Sequence, residues 1–338
     1  MKKIFITGGH YTPAKAVIDL LLDKNEFEIF YLGRKSAMED DKALALEFIE
    51  LSSKPKITYL ELTTGRLQRN FFVNFNQSVR AFLKIFTGFF QSLYYLVKYR
   101  PNLVMSFGGY LAIPVVINAW FFGIPVLTHE QTLAPGLANR LIARFSKKVL
   151  TGNPLRREIL NLKPVRQSNT IFITGGNQGA HVINVAIEEI IDKLLKKYRV
   201  IHQTGDSKFE DYERLKREGV FKFLDAQEMA DALNAAALVI SRSGANITTE
   251  LAYLGKPAIL IPIPWSSGGE QMANAKVLES AGTAEILEQK DLNGQNLLRL
   301  IGSMMENLKQ YNANAVKARK LVELDATEKI VEEISKNA

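Results

Sequence analysis

The pentapeptide FITGG occurs twice in this 338-residue chain, at Phe5–Gly9 and again at Phe172–Gly176. In both copies a short apolar run ends in a pair of glycines, and a helix-length amphipathic segment follows. A short apolar run bounded by glycine is typical of a buried strand, and glycine permits a tight turn from that strand into a helix. The repeat therefore predicts that each half of the chain begins with a strand, a glycine turn and a helix.

The rest of the chain continues this alternation of strand-like and helix-like segments. Strands that alternate with helices form parallel sheets that are covered by helices on both faces. Because ligands of such sheets bind at the carboxyl ends of the strands, glycine turns from two domains would line one cleft. The predicted fold is α/β, with two doubly wound Rossmann-like domains facing a cleft. The predicted strands lie near Lys3–Thr7, Glu28–Leu32, Ile57–Leu60, Leu103–Ser106, Pro125–Thr128, Lys148–Leu150, Ile171–Thr174, Arg199–His202, Phe221–Leu224, Leu238–Ile240, Ala258–Ile261 and Ala284–Leu287.

The length of the chain fits two domains of ordinary size. We place the first domain at 1–152 and the second at 170–324. Prolines and polar residues cluster in 153–169, which predicts a hinge, and 325–338 is typical of a charged amphipathic helix. The chain has no cysteine, which excludes disulfides and thiolate metal sites.

The net charge of +8 is confined to the first half of the chain. Residues 1–150 hold 19 Lys and Arg against 11 Asp and Glu, whereas residues 151–338 hold 24 of each class. A one-sided basic domain indicates an anionic partner. The stretch YLAIPVVINAWFFGIPVL (Tyr110–Leu127) is interrupted by two prolines, Asn118 and Gly123, so it predicts a buried helix and a strand rather than a spanning helix.

The segment Gly65–Arg100 combines six basic residues with many Phe and Tyr residues and has no acidic residue. Part of it must form the core face of a helix, but basic residues that frame aromatic ones also suit an anionic membrane surface. We prefer a membrane to nucleic acid because no nucleic-acid-binding motif accompanies the segment. The residues predicted to contact the membrane are Arg66, Arg69, Phe71, Phe72, Phe75 and Arg80.

Two glycine turns in the second half are candidates for binding a phosphorylated ligand. TGGNQGAHVIN (Thr174–Asn184) and SRSGANITTE (Ser241–Glu250) each lead from a strand into a helix, whose free amides attract anions. Either could instead be a structural turn. Neither matches a P-loop or a full dinucleotide fingerprint. The chain has no Asp-x-Asp motif, which argues against a diphosphate held through a metal. Glu250 lies in the helix after the second turn, and its carboxylate could accept hydrogen bonds from the two hydroxyls of a ribose.

His10 follows the first glycine turn, where a histidine with a pKa near neutrality can act as a general base. It could equally be a turn histidine that bonds to the backbone. Glu130, in the sequence HEQT (His129–Thr132), lies at a strand end and is the second candidate for the base.

Taken together, these stretches resemble the MurG-type family of bacterial N-acetylglucosaminyltransferases, which have the GT-B fold and convert lipid I to lipid II in peptidoglycan synthesis. The matching motifs are TGGH-x-x-P, SFGGYLAIP, HEQ followed by PG-x-x-NR, GNPLR, GGxQGA, RSGA followed by Glu, and EQMANA, in family order. The resemblance implies an inverting transferase that moves GlcNAc from UDP-GlcNAc to an undecaprenyl-linked acceptor, without a cofactor or metal. It also implies a peripheral protein at the cytoplasmic face of the cell membrane and no nucleic-acid partner.

The resemblance also assigns roles to individual residues. His10 is implied as the base, with Glu130 as the alternative, and Gly108, Gly109 and Tyr110 are implied to contact the acceptor. The implied contacts to the donor and its sugar are Thr7, Gly8, Gly9, Thr132, Arg156, Asn177, Leu224 (beside the uracil), Ala245, Asn246, Ile247, Thr248, Thr249, Glu250 and Gln271.

The chain departs from the family pattern at several of these positions. Thr132 and Asn177 stand where the family has asparagine and serine, Ile6 replaces a glycine, and a stretch of roughly 15 residues is missing before the hinge. A related transferase with another lipid acceptor, and a non-catalytic subunit that binds nucleotide sugar or lipid, stay open as alternatives. A nucleotide-dependent oxidoreductase is disfavoured because no acidic ribose fingerprint follows either glycine turn.

Overall fold

The computed structural model describes residues 1–36, 44–65, 75–132, 136–163, 165, 168–205 and 209–338, without the side chains of residues 75–81 and 267. The described residues divide into two compact units. One comprises Met1–Gln131, Pro135–Pro154 and Leu324–Ala338, and the other Thr132–Ala134 and Leu155–Glu323. Each unit is built on one six-stranded sheet, so the predicted α/β fold with two doubly wound domains is confirmed.

The six strands of the amino-terminal unit are parallel and lie in the order β3-β2-β1-β4-β5-β6. The chain adds β2 and β3 on one side of β1 and then β4, β5 and β6 on the other side, so the order of the strands reverses at β1. Such a reversal is where ligands of doubly wound sheets bind. Its strands are β1 (Lys2–Thr7), β2 (Phe27–Gly33), β3 (Ile57–Glu61), β4 (Leu103–Ser106), β5 (Val126–His129) and β6 (Lys148–Leu150). The helices that follow its strands are α1 (Tyr11–Lys24), α2 (Leu46–Ser52), α3 (Phe75–Tyr99), α4 (Ala112–Phe121) and α5 (Leu137–Arg144).

The carboxyl-terminal unit repeats the plan with the strand order β12-β11-β10-β7-β8-β9. Its strands are β7 (Thr170–Thr174), β8 (Arg199–Gln203), β9 (Val220–Phe221), β10 (Ala236–Ser241), β11 (Ala258–Leu260) and β12 (Ala284–Ile286). Its helices are α6 (Arg157–Leu160), α7 (His181–Glu188), α8 (Ile191–Leu195), α9 (Asp211–Leu215), α10 (Ala226–Ala235), α11 (Ala245–Leu254), α12 (Glu270–Ser280), α13 (Gly294–Glu306), α14 (Leu308–Ala313) and α15 (Ala315–Arg319), with short 3-10 turns at Ser267–Gly269 and Gln289–Asp291.

The two copies of FITGG form central strands that are buried on both faces. In β1, Phe5 packs into one apolar cluster, whereas Ile4 and Ile6 pack into the cluster on the opposite face. In β7, Phe172 likewise faces one cluster and its apolar neighbours face the other. Side chains alternate across a strand, so a continuous apolar run fills both layers of a sheet covered by helices.

Each of the twelve predicted strands is present, and β9 differs most from its prediction. It spans Val220–Phe221 rather than continuing to Leu224. Leu224 turns into the apolar cluster, and Asp225 caps α10 by accepting a hydrogen bond from the Glu228 amide at 2.8 Å. Among the described helices, none combines the length and hydropathy that crossing a bilayer requires.

The last helix, α16 (Ala326–Asn337), returns to the amino-terminal unit. Ile330, Val331 and Ile334 join the apolar cluster that holds α1, and Glu333 pairs with Lys148 at 2.8 Å. The segment before β7 packs on the carboxyl-terminal unit, where the Val165 amide donates to Asn234 at 3.0 Å. The domain and hinge boundaries drawn from the sequence stay predictions.

Candidate functional site

The first glycine turn, which follows β1, packs closely against β2 on one side and against the turn that follows β4 on the other. A Cβ atom on Gly8 would lie 1.9 Å from the hydroxyl of Tyr31, and one on Gly9 would lie 2.0 Å from the carbonyl oxygen of Gly108. Gly108 and Gly109 both have positive φ, and Gly109 lies against Gly9 in turn. Only glycine therefore fits where the β1 turn and the β4 turn touch, at the carboxyl ends of the two strands.

His10 caps α1 directly after this turn and meets the residues that follow β5. Its Nδ1 atom lies 2.9 Å from Nε2 of Gln131. Beside it, Glu130 accepts a hydrogen bond from Asn139 at 2.7 Å, and Asn139 accepts one from the Gly109 amide at 2.9 Å. The two predicted base candidates therefore lie in the same unit, and Asn139 connects Glu130 to the β4 turn.

The surroundings of His10 favour its neutral form. Burial lowers the pKa of His10 below its ordinary value of 6.5, and the negative charge of Glu130 partly opposes that shift. Burial also lowers the pKa of His129, and proximity to His10 adds to that effect. A neutral imidazole at neutral pH can accept a proton, which is what a general base requires.

Three further predicted residues lie at or shortly after the ends of β1, β4 and β5 in the chain. Thr7 is fully buried at the end of β1, and its hydroxyl has no hydrogen-bond partner among the described residues. Tyr110 follows the β4 turn, where its hydroxyl accepts a hydrogen bond from Arg34 at 3.3 Å. Thr132 directly follows Gln131 and is partly exposed. Tyr110 and Arg34 place a hydroxyl and a positive charge at the carboxyl edge of the sheet.

The second glycine turn has the same sequence but a different environment. A Cβ atom on Gly175 would lie 2.2 Å from the Ala180 nitrogen, and one on Gly179 would lie 2.1 Å from the Thr204 carbonyl oxygen. Gln203 fastens the turn by donating to the Gly176 carbonyl at 3.1 Å. Asn177 is exposed at its tip, so the side chain predicted to contact the donor lies at the surface of the unit.

The helix α11 begins beside this turn, because β10 pairs with β7 and Ser241 lies opposite Thr174. Gly244 caps α11, and because glycine has no side chain it provides no side-chain hydrogen bond to the first amides of the helix. Thr248 and Thr249 donate their hydroxyl protons to the Ala245 carbonyl at 3.0 and 2.8 Å. Backbone amides rather than hydroxyl protons are thus available at this helix start.

Two other predicted residues on α11 have different surroundings. The side-chain oxygen of Asn246 is buried and has no hydrogen-bond partner among the described residues. Ile247 packs against the apolar core of the unit. Asn246 therefore has an unused polar atom at the helix start, whereas Ile247 contributes mainly packing.

Glu250 and Arg156 lie 94 residues apart in the chain and form a buried ion pair. Nε and Nη2 of Arg156 lie 2.8 and 2.7 Å from the same carboxylate oxygen, and Glu250 is 4% exposed. Burial raises the pKa of Glu250, and the arginine opposes that shift. The pair keeps a carboxylate in place where hydroxyls of a ligand could be bound.

Hydrogen bonds of Gln271 connect the loop after β11 to the loop that precedes α11. Its side-chain oxygen accepts from the Ile263 amide at 3.0 Å, and its carbonyl accepts from the Ser243 hydroxyl at 2.8 Å. Leu224, predicted beside the uracil, is buried and lines a cavity of about 730 Å³ near the edge of the sheet. The structure therefore groups Asn177, α11 and Gln271 at adjacent strand ends and places Leu224 towards the edge.

The membrane residues predicted from the sequence fall outside the described part of the chain: Arg66, Arg69, Phe71 and Phe72 entirely, and Phe75 and Arg80 in their side chains. Sequence reasoning also missed two polar residues of the site, Gln131 and Asn139. Both lie within the motif HEQ followed by PG-x-x-NR, but their partners are 121 and 30 residues away in the chain. Only the fold brings these partners together.

Comparisons with known proteins match both halves of the chain. The glycosyltransferase family 28 N-terminal domain matches residues 7–151, and the family 28 C-terminal domain matches residues 170–334. A UDP-N-acetylglucosamine--N-acetylmuramyl-(pentapeptide) pyrophosphoryl-undecaprenol N-acetylglucosamine transferase from Clostridium kluyveri is 35% identical, covering 99% of each chain. The Clostridium botulinum (strain Kyoto) protein of the same name is 33% identical over 94% of this chain and 95% of its own.

The same likeness extends to three dimensions. The crystal structure of Acinetobacter baumannii MurG superimposes with a TM-score of 0.74 at 27% identity, covering 99% of this chain and 100% of that one. The similarity therefore spans both units and is not limited to one glycine turn.

Proposed function

The chain belongs to the MurG-type branch of glycosyltransferase family 28, and we propose that it transfers GlcNAc from UDP-GlcNAc to the C4 hydroxyl of an undecaprenyl-diphospho-MurNAc-peptide. This reaction converts lipid I to lipid II in peptidoglycan synthesis. The observation that carries the proposal is full-length similarity to transferases of that name, together with a half-buried histidine at the first glycine turn.

In the proposed reaction the acceptor oxygen attacks C1 of GlcNAc from the side opposite UDP. A C1–O bond to the acceptor forms, the C1–O bond to the diphosphate breaks, and UDP leaves with the bonding electrons. His10 takes the proton of the attacking hydroxyl, for which the lowered pKa of its ring keeps it neutral. Glu130 lies close enough to stabilise the imidazolium ion that results, because its charge already acts on His10.

The donor would bind on the carboxyl-terminal unit. The amides at the start of α11 would hold the diphosphate, so that helix amides carry the charge that develops on UDP and no cation is needed. Glu250, held by Arg156, would accept hydrogen bonds from the ribose hydroxyls. Glu250→Gln should weaken UDP-GlcNAc binding by roughly 10- to 100-fold, since hydrogen bonds to charged groups contribute more than neutral ones, and EDTA should leave turnover unchanged.

The direct test of the proposal is UDP release from UDP-GlcNAc, with a soluble lipid I analogue, without it, and with the same analogue lacking its C4 hydroxyl. Release that requires the intact analogue supports transfer to that hydroxyl. Release that is equal with all three would mean hydrolysis. Binding of UDP-GlcNAc without release would mean another acceptor or a binding subunit.

We also propose that the amino-terminal unit binds peripherally to the anionic membrane that carries the acceptor, at its cytoplasmic face. The inner side of α3 is buried at Gly88, Ser92 and Leu96. Its outer side carries an exposed apolar stripe, which is roughly 22 Å long because an α-helix rises by about 1.5 Å per residue. The stripe consists of Phe82, Leu83, Phe86, Phe90, Tyr94 and Val97, and Trp120, Phe121 and Phe122 are exposed at the end of α4.

The two exposed groups belong to neighbouring helices, because Asn118 of α4 donates hydrogen bonds to the Phe89 carbonyl and the Ser92 hydroxyl of α3. An apolar surface of this kind on a basic unit fits an anionic bilayer. Phe86→Ser/Phe90→Ser should reduce cosedimentation with anionic vesicles several-fold. Val316→Ser/Leu321→Ser, which changes exposed apolar residues of the other unit, should not.

A further inference from the structure

The contact between Gln131 and His10 determines which nitrogen of the His10 ring can act as a base. A neutral imidazole carries one proton, so one ring nitrogen donates and the other accepts. The partner at one nitrogen fixes the state of the other. In His10 the partner at Nδ1 is the side-chain amide of Gln131, at 2.9 Å.

A glutamine amide is unusual as a partner because it has a donor end and an acceptor end. When its NH2 group faces Nδ1, the ring proton resides on Nε2, and Nε2 cannot take another proton as a base. When its oxygen faces Nδ1, the ring proton resides on Nδ1, and Nε2 keeps its lone pair. The Gln131 oxygen is buried and has no hydrogen-bond partner among the described residues, so a half-turn of the amide would give it one.

We propose, on the basis of the function proposed above, that Gln131 is a positioning residue that selects the reactive tautomer of His10. In the reactive form the Gln131 oxygen accepts the Nδ1 proton and Nε2 receives the proton of the acceptor hydroxyl. After transfer the ring carries a proton on each nitrogen, and both are donors.

The neighbouring titratable groups explain why a neutral partner is suited to this position. The negative charge of Glu130 already acts on His10, and His129, whose pKa is lowered by burial and by His10, adds no negative charge. A carboxylate at position 131 would add a second negative charge and hold the imidazolium more tightly. Glutamine can select the same tautomer without that charge, so His10 returns to its neutral form after each turnover.

Two substitutions separate tautomer selection from simple packing. Gln131→Glu retains an acceptor of the same length and loses the donor, whereas Gln131→Met retains the length and loses both. Gln227→Met, at an exposed glutamine on α10, is the matched control. Thermal unfolding of each variant shows whether it has kept its fold.

The primary measurement is the ¹⁵N NMR spectrum of the histidine rings, which is tractable because the chain has only four histidines. We expect Gln131→Glu to show His10 protonated at Nδ1 when neutral, and Gln131→Met to show a ring that is mainly protonated at Nε2. Identical His10 signals in the two variants would overturn the inference. The spectrum requires no turnover, so it is informative even if the proposed acceptor is wrong.

The second measurement is the pH profile of kcat with UDP-GlcNAc and the lipid I analogue. Gln131→Met should lower kcat at least tenfold with less than a twofold change in KM for UDP-GlcNAc. Gln131→Glu should keep most of kcat but move the acidic limb of the profile upward by about one pH unit, because the added carboxylate raises the pKa of His10. A Gln131→Met protein that folds and keeps wild-type kcat, or an unmoved acidic limb in Gln131→Glu, would contradict the proposal.

Discussion

The two copies of FITGG form the same strand and glycine turn, but the residues around them differ. The first copy is followed by His10, which meets Gln131 and lies beside Glu130. The second copy is followed at the same offset by Asn177, which is exposed. The strand that leads into α11 pairs with β7, and the glycine that caps α11 provides no side-chain hydrogen bond to the helix start. Under the function proposed above, one structural element would therefore provide a proton acceptor in one unit and a donor-binding surface in the other. The loops of neighbouring strands would determine which role each copy has.

The largest effect that this comparison predicts is on turnover when the residue after each turn is removed. His10→Ala should lower acceptor-dependent UDP release by about 10²- to 10⁴-fold, the usual contribution of a general base. Asn177→Ala should mainly raise KM for UDP-GlcNAc. Steady-state kinetics of the two variants would test this, and a His10→Ala enzyme with unchanged kcat would remove His10 from the chemistry.

A smaller effect is expected on stability, and here the two turns should behave alike. Gly9→Ala and Gly175→Ala each force a Cβ atom against backbone, so each should lower the free energy of unfolding by about 1–3 kcal/mol. Gly244→Ala is the control, because it has φ of −65° and nothing within 4 Å of the new Cβ atom. Urea denaturation that finds all three variants equally stable would contradict the packing described for both turns.

An effect of similar size, which develops only on acidification, concerns a histidine of the carboxyl-terminal unit. His202 is fully buried with Nε2 3.0 Å from the Asn184 side-chain oxygen, and burial lowers its pKa to about 4. Below pH 6.5 the unfolded chain takes up a proton that the folded unit does not, so stability falls between pH 6.5 and 4, by up to about 3 kcal/mol.

His202→Gln removes this titration and should flatten the pH dependence of unfolding of that unit. Calorimetry at pH 7 and pH 5 would measure how far the unfolding transition of that unit moves on acidification. Adding UDP identifies the transition, because a ligand that binds the carboxyl-terminal unit raises its unfolding temperature. A variant that loses as much stability on acidification as the wild type would show that other groups dominate.

The sequence was sufficient for the fold because both central strands are continuous apolar runs that end in glycine. It misplaced the end of β9, since Leu224 looks like a strand residue but turns into the core before the capped start of α10. It also could not assign α16 to a unit, because an apolar stripe does not identify the surface that it covers.

The candidate site was predictable where residues adjoin a glycine turn, as His10 and the start of α11 do. Contacts between residues distant in sequence were not predictable. Glu250 and Arg156 were each expected to contact the donor, but nothing local indicates that they pair with each other. Gln131 carries no charge and falls in no periodic pattern, so its contact with His10 emerges only from the fold.

The most direct test of the division between the two turns is acceptor-dependent turnover of the doubly exchanged variant His10→Asn/Asn177→His, with the Kd for UDP-GlcNAc measured on the same preparation. We expect turnover as low as that of His10→Ala, together with measurable UDP-GlcNAc binding, because a histidine at the second turn lacks the neighbours that the first turn provides. Turnover restored by the histidine at position 177 would contradict the account.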